Sequence, residues 1–254
     1  MESLPEETTT RAGKDWVERQ PWVPFVLPFA VYLVVQYFEP APRAVQLGAS
    51  WWSVVGYPLM YSLKIACTLG TMWLAWPVYR STFRRIHPAA WGVGVLGVLV
   101  WVGVCSLKIE QQWLAPWGLK WFVGSGERPA FNPWQHFSST GWAIAFLGVR
   151  FLGLACVVPV VEEFFLRGFL LRYYDDDDWT NIPLGHFSLW PFLFTLLTAV
   201  VMHPAECVAE IAWFSLVSLL FFRTRNLWDC VAAHTVTNFL LGVYILSTGE
   251  YQYW

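Results

Sequence analysis

Residues 160–171 read VVEEFFLRGFLL, and this stretch places two adjacent carboxylates and a guanidinium inside an apolar run. A charged side chain at the centre of a bilayer costs about 2.5–3.5 kcal/mol on insertion scales. Charges in such surroundings are usually paired, or they face a wet cavity inside the protein. The stretch therefore predicts an apolar helix that turns Glu162, Glu163 and Arg167 towards the interior of a helical bundle.

The composition of the whole chain is typical of a membrane protein. Of its 254 residues, 56% are hydrophobic and 13% are charged, and they include 18 Trp and 19 Phe. A soluble domain of this length needs more charge on its surface. A net charge of −2 provides no basic surface for nucleic acid. We predict an all-α fold, a polytopic transmembrane bundle of about 7–8 helices, because apolar runs of spanning length recur along the chain.

Seven apolar segments organise the chain. They run over residues 24–38, 52–79, 89–107, 141–174, 184–203, 205–222 and 227–246. A polar tail over 1–22 precedes them and lacks the apolar core of a secretory signal peptide. We predict a single transmembrane domain over 23–254, in which 141–249 carries the polar motifs. The Trp-rich connection 108–140 is typical of an interfacial or partly re-entrant segment.

Basic residues are unequally divided between the two ends of this path. Nine share the side of the N-terminus: Arg11, Lys14, Arg19, Arg80, Arg84, Arg85, Arg172, Arg223 and Arg225. Four lie on the other side: Arg43, Lys108, Lys120 and Arg128. Loops rich in Lys and Arg stay in the cytoplasm. The N-terminus is therefore predicted to be cytoplasmic and the C-terminus external, with Glu162 nearer the cytoplasmic half.

Helical spacing separates the three charges of the opening stretch. Residues four apart share one face of a helix, whereas neighbours differ by about 100°. Glu163 and Arg167 can therefore form a hydrogen-bonded ion pair. Glu162 points elsewhere, lacks a local counter-ion and becomes the candidate general base or acid. The alternative is that all three side chains only hold helices together.

Two further polar clusters lie on other apolar segments. His203 ends the fifth segment, where Pro204 tends to break the helix. His234 and Asn238 are four residues apart on the seventh segment, so both can donate to one oxyanion. Each cluster by itself can be hydrogen-bonding glue between helices.

Taken together, the three clusters describe a site for amide hydrolysis by activated water. Glu162 would remove a proton from a water molecule that His203 helps to orient. The resulting hydroxide would attack a carbonyl, and His234 with Asn238 would hold the developing oxyanion. This chemistry needs no covalent acyl-enzyme.

The same residues resemble the motifs of a known family. EExxxR appears at 162–167, a motif usually written FxxxH ends at His203, and HxxxN runs from His234 to Asn238. Over roughly 141–249 the chain is similar to the CAAX protease and bacteriocin-processing (CPBP, or Abi) family of intramembrane glutamate proteases. Its later part resembles a prokaryotic CAAX prenyl protease-related subgroup. One position departs from the pattern: Ala199 stands where FxxxH has Phe, which leaves substrate preference open.

The resemblance implies an intramembrane endopeptidase of the CAAX prenyl protease type in a prokaryotic inner or plasma membrane. The catalytic residues that it implies are Glu162, His203, His234 and Asn238, with Glu163 and Arg167 in support. The implied substrate is a peptide or protein near the membrane, with or without a lipid group, and the other partner is the lipid bilayer. No cofactor, metal ion or nucleic acid is expected.

Other functions stay open at this stage. Two histidines and a glutamate can bind zinc in principle, although the chain contains no HExxH sequence. A non-catalytic membrane protein, such as an immunity factor, scaffold or chaperone, would keep the same cluster for packing or ligand capture. A serine hydrolase lacks support because there is no GxSxG turn, and a transporter lacks support because there are no matching halves.

Several polar residues have no assigned role in this scheme. Glu206 and Glu210 are like charges four apart, so they are expected to line the cavity or reach the interface. Arg150 is expected to pair with a glutamate, whereas Lys64 has no predicted partner. We expect a solvated turn at Asp175–Asp178 and buried small side chains at the five cysteines.

Overall fold

The computed structural model describes residues 19–42, 50–119 and 130–254, and within these ranges helices are the only regular elements. The helices are α1 Val23–Tyr37, α2 Trp51–Ser81, α3 Pro88–Ser106, α4 Pro133–His136, α5 Thr140–Tyr173, α6 Leu189–Met202, α7 Cys207–Thr224 and α8 Leu227–Thr248. Three short 3-10 turns cover Trp179–Asn181, Pro204–Glu206 and Tyr251–Tyr253. The predicted all-α helical bundle is confirmed.

Four helical stretches are long and apolar enough to cross a membrane: Pro88–Leu114, Thr140–Tyr173, Pro204–Thr224 and Leu227–Thr248. They make the chain an integral membrane protein. α1 and α6 are also apolar, but they have only 15 and 14 residues. Each of the seven predicted segments coincides with a helix, while the seven-span path stays a prediction.

The short length of α6 positions part of the cavity described below. α6 ends because Pro204 lacks a backbone N–H, and His203 has already left helical geometry with φ −125° and ψ 55°. Fourteen residues cover only about 21 Å, less than the roughly 30 Å of a bilayer core. Glu206 and Cys207, which follow the turn, are accordingly buried, with 9% and 4% of their surface exposed.

α5 is the central helix, and its geometry is not uniform. Wide π-helical turns at Gly153–Val157 and Phe164–Leu170 interrupt its α-helical sections. Such turns change the direction of side chains along a helix and are frequent at functional sites. Glu162 and Glu163 lie on the α-helical section Val158–Glu163, between the two π-helical turns.

A packed aromatic core fills one end of the bundle. Tyr79, Phe164 and Phe221 are fully buried there, and the Tyr79 hydroxyl donates to the carbonyl of Pro24 at 2.9 Å. The Trp228 indole N–H donates to the carbonyl of Tyr79 at 3.3 Å. We call this end the arginine-rich end because it carries Arg80, Arg84, Arg85, Arg172, Arg223 and Arg225. These contacts hold α1, α2, α5 and α8 together at this end.

Lys64 and Arg150, two buried cations without a predicted role, both contact other side chains in the structure. Lys64 forms a 2.7 Å ion pair with Glu39. Arg150 donates to the Tyr57 hydroxyl and lies 4.4 Å from the centre of the Trp254 ring. In the part of the chain that the structure describes, Arg150 thus contacts aromatic side chains rather than the expected glutamate. Electrostatic attraction between a cation and a ring face supports that arrangement.

The acidic turn after α5 has the exposed character that was predicted. The backbone N–H of Asp178 donates to Asp176 at 2.8 Å, and the Asp178 carboxylate accepts from Thr180 and Asn181. Hydrogen bonds of this kind stabilise tight turns at the protein surface. The prediction of five buried cysteines is confirmed for Cys207 and Cys230, whereas Cys67 and Cys105 are half-buried and Cys156 is exposed.

The connection between α3 and α5 is described in part. Residues Glu110–Leu119 form a π-helical stretch, and residues 120–129 of the predicted interfacial segment lie outside the described ranges. Trp113 and Trp117 are exposed over 65% and 83% of their surface. Exposed indole rings are typical of the membrane–water boundary. The described part therefore agrees with an interfacial segment.

Candidate active site

One cavity of about 430 Å³ lies between the bundle helices. Its wall includes four of the six predicted site residues: Glu162 from α5, His203 from the end of α6, and His234 and Asn238 from α8. The other two, Glu163 and Arg167, are completely buried behind that wall. The fold thus brings three polar clusters from separate segments to one enclosed space.

Glu163 and Arg167 form the predicted ion pair and extend it into a network. The Arg167 Nη1 donates to Oε2 of Glu163, while the Nδ1 of His234 lies 3.0 Å from Oε1. The Arg167 Nη2 donates to the Phe214 carbonyl at 3.0 Å and to the Ser218 hydroxyl at 3.1 Å. A buried ion pair is tolerable when further hydrogen bonds satisfy both charges. These contacts engage both terminal nitrogens of Arg167 and both carboxylate oxygens of Glu163.

The network decides which nitrogen of His234 carries a proton. Glu163 is the ionised partner of Arg167 and can only accept hydrogen bonds, so the Nδ1 of His234 must be the donor. The other ring nitrogen, Nε2, lies 3.9 Å from Oε2 of Glu162. The Trp213 ring packs against the imidazole with 4.5 Å between centroids and holds its orientation.

Glu162 differs from its neighbour in the way that helical spacing predicts. It is 8% exposed, lines the cavity and meets the imidazole of His234 instead of an arginine. A separation of 3.9 Å is too long for a direct hydrogen bond, but a water molecule can bridge such a gap. The two groups therefore mark a place where a water molecule would contact the carboxylate.

His203 also lines the cavity. Its Nδ1 lies 3.2 Å from the carbonyl of Ala199 and 3.6 Å from Oε2 of Glu210. Sequence reasoning paired His203 with Glu162 and left Glu210 without a specific partner. The sequence signal for the contact between His203 and Glu210 was Pro204, because the chain turns there and α7 begins close to the histidine.

Asn238 is held by the backbone of the central helix. Its Nδ2 donates to the carbonyl of Leu154 at 2.9 Å, and Leu154 lies in the first π-helical turn of α5. A carboxamide has two N–H donors. One of them thus fixes the side chain on α5, and the other can serve a ligand in the cavity.

Three further carboxylates, Glu206, Glu210 and Glu110, lie at or near the cavity. Glu206 and Glu210 line it, which is one of the two locations expected for them. Glu110, which sequence reasoning missed, accepts from the backbone N–H of Val208 at 2.9 Å and caps the start of α7. Within the described ranges, no group of three or more His, Cys, Asp and Glu side chains is arranged to hold a metal ion.

The helices and the cavity define an integral membrane protein with a polar site enclosed in a helical bundle. Residues 141–240 match the family model described as type II CAAX prenyl endopeptidase Rce1-like. The predicted resemblance to the CAAX protease family is thereby confirmed over residues 141–240, and this match supports a peptidase of the CAAX type. No curated protein and no solved structure matched the chain.

Proposed function

We propose that the chain is an endopeptidase that hydrolyses a peptide bond with water activated by Glu162. One observation carries the proposal: Glu162 is buried in a cavity and faces the Nε2 of His234 at 3.9 Å. The adjacent Glu163 is already neutralised by Arg167. Of the two carboxylates, only Glu162 is placed to exchange a proton with a molecule in the cavity.

The reaction begins with a water molecule beside the Glu162 carboxylate. Glu162 takes one proton from that water, and the hydroxide attacks the carbonyl carbon of the scissile bond. His203, whose Nδ1 is held near the Ala199 carbonyl and Glu210, lines the same cavity and orients the water. When the C–N bond breaks, Glu162 returns its proton to the leaving amine.

The oxyanion that forms during attack is held by α8. Asn238 donates one carboxamide N–H, since the other is engaged with Leu154. His234 donates through Nε2. Because Nδ1 already carries a proton for Glu163, this second donation requires the imidazolium form of the ring. Glu163 and Arg167 thus support the oxyanion site without touching the substrate.

The substrate that fits this proposal is a peptide or protein at the membrane, with or without a lipid group. Apolar and aromatic side chains accompany the polar ones along the cavity, including Tyr32, Trp101 and Leu241. Such a lining binds apolar side chains or a lipid chain next to the scissile bond. No metal ion takes part in the proposed steps.

The direct test compares protein termini in cells that carry wild-type protein, Glu162→Gln or the control Glu250→Gln. Loss of the general base is expected to lower cleavage by about 10²–10⁴-fold. Termini present with wild type and with Glu250→Gln would disappear with Glu162→Gln. Identical termini in all three strains would contradict the proposal and favour a non-catalytic role in packing or ligand capture.

A second measurement separates the proposal from a zinc-dependent peptidase. Cleavage of a substrate found in the terminus comparison is followed in detergent with and without a strong chelator. The water-based mechanism predicts an unchanged rate after chelation. If the rate falls after chelation and recovers only with added zinc, a metal ion and not Glu162 alone activates the water.

A further inference from the structure

A groove of about 820 Å³ lies at the arginine-rich end of the bundle. It runs between the start of α3 and the end of α7, and the connection from α2 to α3 and the first turn of α8 complete its wall. Among the described residues, it shares no lining side chain with the catalytic cavity. The proposed peptidase reaction therefore gives this groove no role.

One part of the groove is apolar and reaches the surface of the bundle. Leu216, Leu219 and Arg223 share one face of α7, because they are three and four residues apart. Leu219 is 60% exposed, and Leu216 is half-buried. On α3, Ala89 and Val93 are four residues apart and also line the groove. In a membrane, this part of the wall is in contact with lipid chains.

The other part of the groove is basic. Arg84 and Arg85 lie in the connection between α2 and α3, and Arg223 lies in the last turn of α7. All three side chains are exposed. Within the described ranges, no ion pair and no ring contact engages their guanidinium groups. Their charges are therefore available to a ligand.

Buried hydrogen bonds fix the backbone that carries the basic residues. Oδ1 of the completely buried Asp229 accepts from the backbone N–H of His87 at 2.8 Å and from Nδ2 of Asn226 at 2.9 Å. The same Nδ2 donates to the carbonyl of Arg85 at 3.2 Å. Asp229 is the single carboxylate among the described lining residues, so the three arginines outnumber it. The groove is thus preformed and has a net positive charge.

The two parts of the groove lie at different depths in a bilayer. The spanning stretch Pro88–Leu114 begins at the groove, and the spanning stretch Pro204–Thr224 ends there. The arginines next to these helix ends are therefore at the level of the lipid headgroups. Val93 and Leu216 lie about 7–12 Å further along their helices, within the hydrocarbon layer. A phospholipid has the same division, with a phosphate outside and acyl chains inside.

From the basic rim beside an apolar wall, we infer that the groove binds an anionic phospholipid. Arg84, Arg85 and Arg223 hold its phosphate, because guanidinium groups match phosphate oxygens with paired hydrogen bonds. One acyl chain lies against Leu219 and Val93. Basic pockets between membrane helices bind the headgroups of such lipids in other proteins. The bound lipid connects α3 to α7, and this role does not depend on the proposed peptidase activity.

The chain's own N-terminal segment is the competing occupant. Residues 1–18 contain five acidic and two basic side chains, so they too would complement the arginines. A phospholipid satisfies both the basic and the apolar part of the groove, because it carries a phosphate and an acyl chain at the matching spacing. The experiment therefore distinguishes a lipid from this segment.

Native mass spectrometry of the full chain in detergent measures lipid binding. Phosphatidylglycerol and phosphatidylcholine with identical acyl chains are titrated separately, and wild type should prefer phosphatidylglycerol at least tenfold. Combining Arg84→Gln, Arg85→Gln and Arg223→Gln should weaken phosphatidylglycerol binding by about 100-fold. The expected loss is about fivefold for each arginine near the membrane surface.

A matched control removes the same charge from the same end of the bundle. Arg19→Gln, Arg80→Gln and Arg225→Gln are combined, because these arginines are exposed and are not among the residues that line the groove. This variant should bind phosphatidylglycerol within about threefold of wild type. Thermal unfolding checks that both triple variants fold. If the groove variant does not fold, its three substitutions are measured singly.

A second pair of variants tests the apolar part without changing any charge. Ala89→Trp places a large side chain in the groove, whereas Val95→Trp adds the same ring at an exposed position of α3 outside it. Ala89→Trp should weaken phosphatidylglycerol binding at least tenfold, and Val95→Trp should not. Equal binding by these two variants would show that the lipid does not occupy the groove.

Three other outcomes would overturn the inference. They are equal affinity for the two lipids, equal losses in the two triple variants, and no bound lipid in wild type. A disulfide that forms between Thr9→Cys and Leu219→Cys in native membranes would assign the groove to the N-terminal segment instead. None of these measurements involves catalysis, so loss of the proposed peptidase activity would leave the lipid site standing.

Discussion

The adjacent glutamates are expected to respond in opposite ways to the same conservative substitution. Glu163→Gln keeps the side-chain volume but removes the charge that Arg167 and His234 share. Arg167 is completely buried, so its charge would be left without its carboxylate. Glu162→Gln removes a buried charge that meets no arginine, which should leave the fold intact.

The magnitude follows from the burial of the pair. Removing one partner of a buried ion pair costs about 3–5 kcal/mol. Each kcal/mol lowers the midpoint of thermal unfolding by roughly 2–4 °C for a chain of this size, so Glu163→Gln should lower it by about 6–20 °C. A matching loss of cleavage is expected because His234 loses the acceptor on its Nδ1.

Thermal unfolding of the purified protein in one fixed detergent measures the effect. Glu162→Gln serves as the adjacent control, and Glu250→Gln as a control just after the C-terminus of α8. The double variant Glu163→Gln with Arg167→Met should recover part of the lost stability, because neither charge then remains buried alone. If Glu163→Gln unfolds within about 2 °C of Glu162→Gln, the ion pair does not stabilise the bundle as argued.

Three further substitutions test other parts of the reasoning. Asn238→Ala should lower kcat by about 10²–10³-fold with a smaller change in KM, as for loss of one oxyanion donor. A rise in KM with an unchanged kcat would instead assign the residue to substrate binding. Gly97→Ala should cost about 1–3 kcal/mol, because a methyl group there collides with Thr237, whereas Gly103→Ala faces open space and should be neutral or stabilising; equal unfolding midpoints for these two variants would refute the packing of α3 on α8. Lys64→Met leaves the carboxylate of Glu39, whose side chain is 12% exposed, without its ion-pair partner, and should lower the unfolding midpoint. Thermal unfolding of this variant is compared with that of Glu39→Gln.

The sequence by itself determined the class of fold and the different surroundings of the two glutamates. Apolar runs of spanning length need a helical bundle, because only helices or closed barrels satisfy the backbone in lipid. The Glu163–Arg167 pair could be predicted because residues four apart meet on any regular helix. These inferences depend on local geometry, which a short stretch of sequence contains.

The proton arrangement of the candidate site was decided by tertiary structure. His234 and Glu163 are 71 positions apart, and Asn238 and the Leu154 carbonyl are 84 apart. Neither pairing has a local signature, because each depends on how α8 packs beside the π-helical turns of α5. The use of one carboxamide N–H by Leu154 follows from that packing, and so does the orientation of the imidazole.

The position of the cavity inside the bundle also depended on tertiary packing. Charge counts along the sequence predict how the helices are oriented in the membrane, with Glu162 nearer the cytoplasmic half. They do not tell which part of the interior is filled by aromatic side chains and which part holds a cavity. Aromatic side chains from separate helices fill one end of the bundle, and the polar residues line the cavity, so tertiary packing decided where the site lies.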